Sequence, residues 1–235
     1  MAPVTLDFKS LTYSPSDAPL FTGFSLTLQQ HRVGVVGRNG AGKSQLLRLA
    51  AGLIAPDQGE VRLEGVDIAR QRARAIELVG VIFQNPDHQI IFPTVDEEMG
   101  FGLRHLPKAE AEARIDAVLA QFQRQPWRGR AVQSLSHGQK QLLCLMAVIA
   151  MQPKLIVLDE PTSGLDLVTR LRLLRVLRDL PQDVLHVTHD LEALAGYDRV
   201  IWLDRGQVLL DGPPNTVLPA YIADMQERAD AEPDH

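Results

Sequence analysis

The sequence predicts an α/β fold in which short apolar strands alternate with helical segments. An apolar run at residues 33–36 leads into a glycine-rich loop and then into a segment with helical character. Two more apolar runs, at 155–158 and 184–187, enclose a segment whose leucines recur at helical spacing. Because buried parallel strands take the form of continuous apolar runs, we expect these three runs to build a parallel-type core.

The N-terminal part is expected to be β structure. Polar and apolar side chains alternate at 5–8 and 24–28, and a proline-containing turn at 14–19 separates them. After the glycine-rich loop, residues 45–53 predict a helix that Pro56 and Gly59 bring to an end. Further strands are predicted at 61–63 and 79–83.

The pattern becomes helical between about residues 86 and 150. Apolar spacing predicts helices at 109–123 and 138–151, which together form a helical insertion in the α/β core. Beyond it, a helix at 169–180 lies between the two later strands. We therefore expect one domain over residues 1–224, followed by a disordered acidic tail over 225–235.

Composition narrows the class of protein. The chain has 24 Lys and Arg against 29 Asp and Glu, a net charge of −5, which argues against a nucleic-acid partner. The single cysteine, Cys144, excludes an internal disulfide and a cysteine-rich metal site. The longest apolar run, 142–151, falls short of the roughly 20 residues that a bilayer span needs. With no signal peptide evident, we expect a cytoplasmic chain that reaches a membrane only through a partner.

The glycine-rich segment, which we call the phosphate loop, matches the pattern G-x-x-x-x-G-K-[ST]. It consists of Gly37, Arg38, Asn39, Gly40, Ala41, Gly42, Lys43 and Ser44. Glycines let successive backbone N–H groups turn inward, and the following helix directs its positive end at the same place. We expect Lys43 to bridge the β- and γ-phosphates and Ser44 to bind Mg²⁺. Alone, the loop predicts binding of a nucleoside triphosphate.

Other polar residues stand at the ends of predicted strands and helices. Asp159 and Glu160 follow a buried strand, where a carboxylate can hold Mg²⁺ through water and another can activate the attacking water. Ser136 and Gly138 begin a helix and suit a second anion site, although an ordinary serine N-cap is the favoured explanation when they are considered alone.

Three more side chains have both a functional and a structural interpretation. Gln84 follows the strand at 79–83 and can bind Mg²⁺ and the attacking water, or simply begin a loop. His189 follows the strand at 184–187 and can touch a γ-phosphate, and Tyr13 can stack on adenine. A lone histidine or tyrosine is more often structural, so the argument depends on the ordered set.

In that order, these residues resemble the ATP-binding cassette (ABC) ATPases over about residues 4–220. The resemblance implies a P-loop NTPase fold, with an N-terminal antiparallel β subdomain and an inserted helical subdomain, and ATP and Mg²⁺ as cofactors. It also implies a homodimer, or a dimer with a closely related ATPase subunit, in which two ATP molecules are sandwiched.

The resemblance further implies a role for each matching residue. The nucleotide would be bound by Tyr13, by the phosphate loop and Gln45, and in trans by the signature segment Ser136, His137, Gly138 and Gln139 together with Asp166. Catalysis would depend on Lys43, Gln84, Glu160 and His189. Magnesium would be held by Ser44, Gln84 and, through water, Asp159.

Two residues depart from the family pattern. His137 occupies the signature position that is usually glycine, and a positive φ there would strain the backbone and slow dimer closure. Gln45 replaces the usual Thr or Ser after the phosphate loop, so an amide would take over a hydroxyl contact to the α-phosphate.

Residues 84–98 resemble the ATPases of energy-coupling factor (ECF) transporters, which import vitamins and transition-metal ions. The resemblance is greatest to biotin systems, with cobalt or nickel systems second. It implies a peripheral position on the cytoplasmic side of the membrane, a transmembrane coupling subunit and a substrate-binding membrane subunit. Asp87, Glu97 and Glu98 are candidate partners for arginines of the coupling helices, or else a solvated acidic face.

The sequence leaves three alternative functions to compare with an ECF ATPase. The first is the ATPase of another ABC transporter class, and only the stretch at 84–98 argues against it. A soluble ABC ATPase of DNA repair would carry a long coiled coil, but 85–134 is short and has no heptad run. A non-hydrolysing regulatory module conflicts with the intact Lys43, Asp159, Glu160 and His189.

Overall fold

A computed structural model of the chain describes residues 2–16 and 18–231, which form two compact units. The first unit contains the described residues up to Ala75 and those from Asp183 onward, and the second contains Ile76–Gln182. The helical insertion predicted for 86–150 lies inside the second unit, which extends further on both sides. Residues 76–85 and 151–182 belong to this unit because their strands and helices pack within it.

In chain order the strands are β1 (Leu6–Tyr13), β2 (Phe21–Leu28), β3 (Arg32–Val36), β4 (Gln58–Leu63), β5 (Val66–Asp67), β6 (Val79–Ile82), β7 (Leu155–Asp159), β8 (Asp183–Val187), β9 (Arg199–Asp204) and β10 (Gln207–Gly212). The helices are α1 (Lys43–Ala50), α2 (Arg72–Leu78), α3 (Val95–Phe101), α4 (Lys108–Gln121), α5 (His137–Ala150), α6 (Leu167–Arg178) and α7 (Pro214–Ala231). The predicted strands and helices are all present, with ends shifted by a few residues.

The N-terminal strands form an antiparallel sheet in the order β2-β1-β4-β5. Its buried face carries Phe8, Phe21 and Phe24, whose ring centroids lie 5.9 Å (Phe8–Phe24) and 5.1 Å (Phe21–Phe24) apart. The expected antiparallel β subdomain is therefore confirmed.

A second sheet of the first unit contains β10, β9, β3 and β8 in that order. Strands β9, β3 and β8 run parallel, and β10 pairs antiparallel with β9 as a hairpin. Val35 of β3 pairs with Val187 of β8, so the loops that follow these strands leave from the same edge of the sheet.

Helix α7 packs on this sheet. Val217, Leu218 and Tyr221 are buried with Trp202 of β9, and the rings of Trp202 and Tyr221 meet edge to face at 5.5 Å. The helix continues through Ala231, so residues 225–231 are helical rather than disordered as expected. The ion pair of Asp224 and Arg228, one turn apart at 2.7 Å, supports this last part. Residues 232–235 of the expected tail lie outside the described residues.

The second unit has a parallel pair of strands, β6 and β7, in which Ile82 pairs with Leu158. The stretch predicted as a helical insertion contains α3, α4 and the buried helix α5. Arg128 joins α3 to α4 because its guanidinium pairs with Asp96, and with Glu112 and Asp116 at 2.8 Å each. Across the described part of the chain, no helix has both the length and the apolar character needed to cross a bilayer.

Candidate active site

Glycine conformations determine the shape of the phosphate loop. Gly37, Gly40 and Gly42 have φ of 154°, 79° and 103°, a region that side chains with a Cβ avoid. A Cβ on Gly37 would lie 2.1 Å from the backbone oxygen of Leu203, and one on Gly42 would lie 3.1 Å from the ring of Phe21. At Gly37 and Gly42 the loop therefore lies close against neighbouring parts of the first unit, and a larger residue would not fit there.

Lys43 places a fixed positive charge at this loop. Its side chain is only 7% exposed, and Nζ donates to the carbonyl oxygens of Gly37 at 2.7 Å and Arg38 at 3.0 Å. Ser44 lies half-buried in the first turn of α1. The neighbouring Gln45 has a buried Oε1 with no hydrogen-bond partner among the described residues. A buried ammonium and a half-buried hydroxyl beside a glycine-rich helix start fit a phosphate chain.

The hairpin of β9 and β10 supports the phosphate loop from behind. Gly206, in the hairpin turn, donates its N–H to the carbonyl of Ala41 at 3.0 Å. A Cβ on Gly206 would come within 1.7 Å of the backbone oxygen of Leu20. Sequence reasoning missed this residue, although Arg205-Gly206 between two apolar stretches is a hairpin signal.

Tyr13 and His189 lie in the same unit as the phosphate loop. Tyr13 ends β1 opposite Phe21, the residue that packs against Gly42. His189 is exposed, two residues beyond β8, at the sheet edge from which the phosphate loop also departs. The first unit thus contains the predicted adenine-stacking ring, the phosphate loop and the histidine predicted to contact the γ-phosphate.

The second unit brings Gln84 and Glu160 together through Ser163. Both strands β6 and β7 end at one edge, where Gln84 Nε2 donates to Ser163 Oγ at 3.2 Å. The N–H of Ser163 in turn donates to the carbonyl of Glu160 at 3.1 Å. Glu160 follows Asp159 with a φ of 49°, a strained conformation of the kind found at functional sites.

The signature segment forms an ordinary capped helix start. Ser136 Oγ accepts from the N–H of Gln139 at 3.4 Å, and Gln139 Oε1 accepts from the N–H of Ser136 at 3.0 Å. Since a serine hydroxyl both donates and accepts, Ser136 keeps its hydrogen for an anion. His137 is exposed and takes the first helical position of α5, so the strain expected from a positive φ does not arise.

The start of α5 packs tightly on the start of α6. A Cβ on Gly138 would lie 2.5 Å from Thr169 Cγ2, so glycine is required for this contact. Asp166 caps α6 by accepting from the N–H groups of Val168 and Thr169 at 3.0 and 3.1 Å. The Thr169 hydroxyl also donates to Asp166 at 2.6 Å and lowers the pKa of that carboxyl.

The three acidic residues assigned to a partner groove all have partners inside the second unit. Glu98 is 8% exposed and accepts from the N–H groups of Ile91 and Phe92, both at 2.9 Å, so it is not a surface carboxylate as expected. Glu97 accepts from the Thr94 hydroxyl at 2.6 Å. Asp87 pairs with Lys140 at 2.6 Å, which lowers the pKa of Asp87.

An aromatic patch, which the sequence reasoning missed, lies in the same region. It comprises Ile91, Phe92, Phe101 and Arg104. Ile91 and Phe101 are 69% and 44% exposed, and the rings of Phe92 and Phe101 are 5.2 Å apart. The Arg104 guanidinium lies 5.0 Å from the Phe92 ring and 4.7 Å from the Phe101 ring. The apolar run at 90–92, which directly follows the polar stretch at 84–89, was the available signal.

A sequence model of the family described as ABC transporter matches residues 21–163. The biotin transport ATP-binding protein BioM of Rhodobacter capsulatus is 49% identical over 228 residues, covering 96% of this chain and 97% of that protein. The chain belongs to the ABC transporter family. ATP-binding proteins of this family are ATPases that power transport, so the phosphate loop belongs to an ATP-binding enzyme.

Two other ABC transporter proteins resemble the chain over most of its length. The energy-coupling factor transporter ATP-binding protein EcfA1 of Levilactobacillus brevis is 35% identical, over 91% of this chain and 80% of that protein. The structure of cbiO1 from Clostridium perfringens, described as part of the ABC transporter complex cbiONQ, superposes with a TM-score of 0.82 at 27% identity. It covers 96% of this chain and 94% of that one, which confirms the predicted ABC ATPase fold.

Proposed function

We propose that this chain is the ATP-hydrolysing subunit of an ECF-type importer that takes up biotin. The observation that carries the proposal is the glycine cradle with the buried ammonium of Lys43 at its wall. Similarity to BioM over 96% of the chain favours biotin, and similarity to EcfA1 favours the ECF type. A transition-metal ion is the second candidate solute, because the cobalt or nickel systems show the next-best resemblance at residues 84–98.

ATP binding is assigned to the phosphate loop, with Tyr13 stacked on adenine. Successive N–H groups of the loop hold the β- and γ-phosphates, and Lys43 neutralises their charge. The amide of Gln45 donates to the α-phosphate, in place of the hydroxyl usual at this position. These groups fit a triphosphate because they are donors or cations fixed by the backbone.

Magnesium is assigned to oxygen ligands, which the ion prefers. Ser44 supplies a hydroxyl, Asp159 a carboxylate through water, and Gln84 the amide oxygen opposite the Nε2 that binds Ser163. Held by these residues, Mg²⁺ would supply positive charge against the phosphates. Glu160 orients and deprotonates the attacking water, Gln84 positions it, and His189 contacts the γ-phosphate.

We assign the complete site to two copies of this chain, or to one copy and a closely related subunit. The signature segment of one copy faces the phosphate loop of the other, and Ser136, His137, Gly138 and Gln139 donate to the γ-phosphate in trans. Asp166 holds the neighbouring turn by capping α6. Two ATP molecules thus close the dimer, and hydrolysis opens it.

The membrane partners are assigned to the aromatic patch. Exposed Ile91 and Phe101 offer apolar area to the coupling helices of a transmembrane subunit, and Arg104 offers a cation at its edge. Asp87 and Glu97 stay candidates for arginine contacts at the rim. A substrate-binding membrane subunit completes the importer, which places this chain peripherally on the cytoplasmic side.

Replacing Glu160 with Gln tests the enzymatic assignment. Turnover of ATP should fall about 100-fold or more because the water loses its base, while ATP binding persists and a dimer accumulates. Glu110→Gln, an exposed carboxylate on α4 paired with Arg114, is the matched control and should retain wild-type turnover. Steady-state phosphate release and sedimentation measure both, and a near-normal rate in Glu160→Gln would sink the assignment.

Co-expression with the membrane subunits tests the partner assignment. Ile91→Asp should abolish co-purification and biotin uptake, because a charge would replace the exposed apolar contact. Ile76→Asp is the control, since Ile76 is 62% exposed but outside the aromatic patch. Equal recovery of the complex with both variants would contradict the docking surface.

A further inference from the structure

A pocket of about 260 Å³ opens beside the first turn of α5, within the second unit. Ser136, Gly138 and Gln139 of the signature segment form its polar end. Two arginines that no motif includes, Arg124 and Arg172, also line it. The pocket therefore has the signature segment on one side and the guanidinium groups of Arg124 and Arg172 as further hydrogen-bond donors.

The charge of this pocket is unbalanced. None of its described lining residues is acidic, although the whole chain carries a net charge of −5. Arg172 stands on α6, a helix whose twelve residues include no Asp or Glu. The four arginines of α6 are Arg170, Arg172, Arg175 and Arg178. Positive charge is thus concentrated along α6, and Arg172 brings part of it to the pocket.

Contacts with its own segment restrain Arg124. Its guanidinium lies 5.4 Å from the ring centroid of Trp127, and Nη1 donates to the carbonyl of Gln123 at 3.0 Å. Trp127 is itself buried, so the stacking surface is fixed. A guanidinium restrained in this way loses little further entropy when it binds an anion.

The wall of the pocket is closely packed. Gly138 approaches Thr169 so closely that a Cβ there would lie 2.5 Å from Thr169 Cγ2, so α5 and α6 are in tight contact at this point. Arg172 follows Thr169 by three residues, on the adjoining turn of α6, and reaches the pocket from that wall. The two guanidiniums and the start of α5 thus face one shared space.

We propose that Arg124 and Arg172 are positioning residues that bind, in trans, the ATP held by the phosphate loop of a second copy. This inference rests on the proposed dimeric function and adds two residues to the trans contact. Guanidinium groups pair with phosphate oxygens through charge-assisted bonds, and two of them match the several negative charges of a triphosphate. An acidic protein segment is the competing occupant, and the test separates it from ATP.

The test uses Glu160→Gln chains, in which ATP traps the dimer, and measures the dimer dissociation constant by sedimentation at saturating Mg-ATP. Arg172→Ala and Arg124→Ala should each raise that constant about tenfold. Arg175→Ala is the matched control, because Arg175 lies on the same helix, is exposed and does not line the pocket. Arg172→Lys should restore part of the loss, since it keeps the charge and loses the planar fork.

A second measurement separates positioning from folding. In chains that keep the native Glu160 and therefore hydrolyse ATP, Arg172→Ala should raise the KM for ATP and leave kcat within about twofold. The midpoint temperature of thermal unfolding should not change. Since Arg172 is exposed, its removal leaves no cavity, which keeps this variant informative if Arg124→Ala unfolds.

The outcomes are distinct. If Arg172→Ala and Arg175→Ala weaken the dimer equally, general charge explains the effect and the inference is overturned. It is also overturned if the arginine variants change dimerisation without ATP, which would indicate an acidic protein segment as the occupant. If the Glu160→Gln chain forms no ATP-dependent dimer at all, the proposed function fails together with this inference.

Discussion

The phosphate loop and the signature segment are both helix N-termini suited to phosphate, but their sequences are constrained in different ways. In the phosphate loop the backbone itself demands glycine, since a Cβ on Gly37 would lie 2.1 Å from a backbone oxygen. The signature segment is a standard capped helix, where only Gly138 is constrained, by a side chain of α6. A departure from the family pattern is therefore tolerated at His137, whereas none is tolerated at Gly37.

Gly37→Ala should have the largest effect. The backbone oxygen of Leu203 cannot move without disturbing β9, so we expect a loss of roughly 3 kcal/mol or more in unfolding free energy. Affinity for ATP should be lost as well. Gly40→Ala is the control, because its φ is 79° but nothing lies within 4 Å of a Cβ there, so about 1 kcal/mol is expected. Equal losses in urea unfolding would contradict the comparison.

The second largest effect should come from acid, which should lower the unfolding free energy of the first unit. His186 in β8 is fully buried, and burial lowers its pKa to about 4, with Nδ1 2.8 Å from the Tyr197 hydroxyl. Because the unfolded chain binds this proton near pH 6.5 and the folded chain does not, stability falls as pH drops from 6.5 to 4, by about 3 kcal/mol.

The acid effect can be checked by urea unfolding at pH 7.5 and pH 5. His186→Gln should flatten the pH dependence, since its side chain takes up no proton in this range. In the other unit, the lowered pKa of Asp166 means that the cap of α6 is kept until the pH falls below the usual range of an aspartate. An unchanged slope in His186→Gln would assign the acid sensitivity to another group.

Gly138→Ala should lower the unfolding free energy by less, and a second substitution should restore most of that loss. The clash is with one methyl group, Thr169 Cγ2, which a small shift of α6 can relieve in part, so about 2 kcal/mol is expected. Thr169→Ser removes that methyl and keeps the hydroxyl that binds Asp166. The double variant should therefore recover most of the stability, and additive losses in thermal unfolding would show that another contact is responsible.

His137→Gly should have the smallest effect. The imidazole is exposed at a helical position, and its removal adds backbone freedom worth about 1 kcal/mol at most. ATP-dependent dimerisation should stay within about threefold of wild type, because the N–H of residue 137 persists. A tenfold change would indicate that the histidine ring itself contacts the nucleotide.

Motifs and buried strands were predictable from the sequence because each has a local cause. The phosphate loop needs its glycines, and β3, β7 and β8 are mostly apolar because nearly all of their residues are buried. Not every element was predicted: the buried strand β9 was missed, as were β10, which alternates exposed and half-buried residues, and the helices α2, α3 and α7. Tertiary packing on Trp202 decides the start of α7, and no local pattern reports it.

The acidic residues assigned to a partner groove show what sequence cannot reveal about burial. A carboxylate in a polar stretch has the same appearance in sequence whether it faces solvent or, like Glu98, accepts two backbone N–H groups in the interior. Arg124 was equally hidden, since its place beside the signature segment depends on how α4, α5 and α6 pack. Sequence motifs could nominate candidate residues that lie within one motif, but not residues brought together from separate helices.

The pairing of β3 has a consequence for biosynthesis. The strand that carries the phosphate loop pairs with β8 and β9, which begin only at Asp183 and Arg199, and Gly206 then fixes the loop. A nascent chain leaves the ribosome N-terminus first, so the loop is made long before the strands that shape it. Such distant pairing also slows folding. Nearly the whole polypeptide must therefore be synthesised before the first unit can bind ATP. A chain that is truncated or stalled before β9 and β10 lacks a complete phosphate-binding loop.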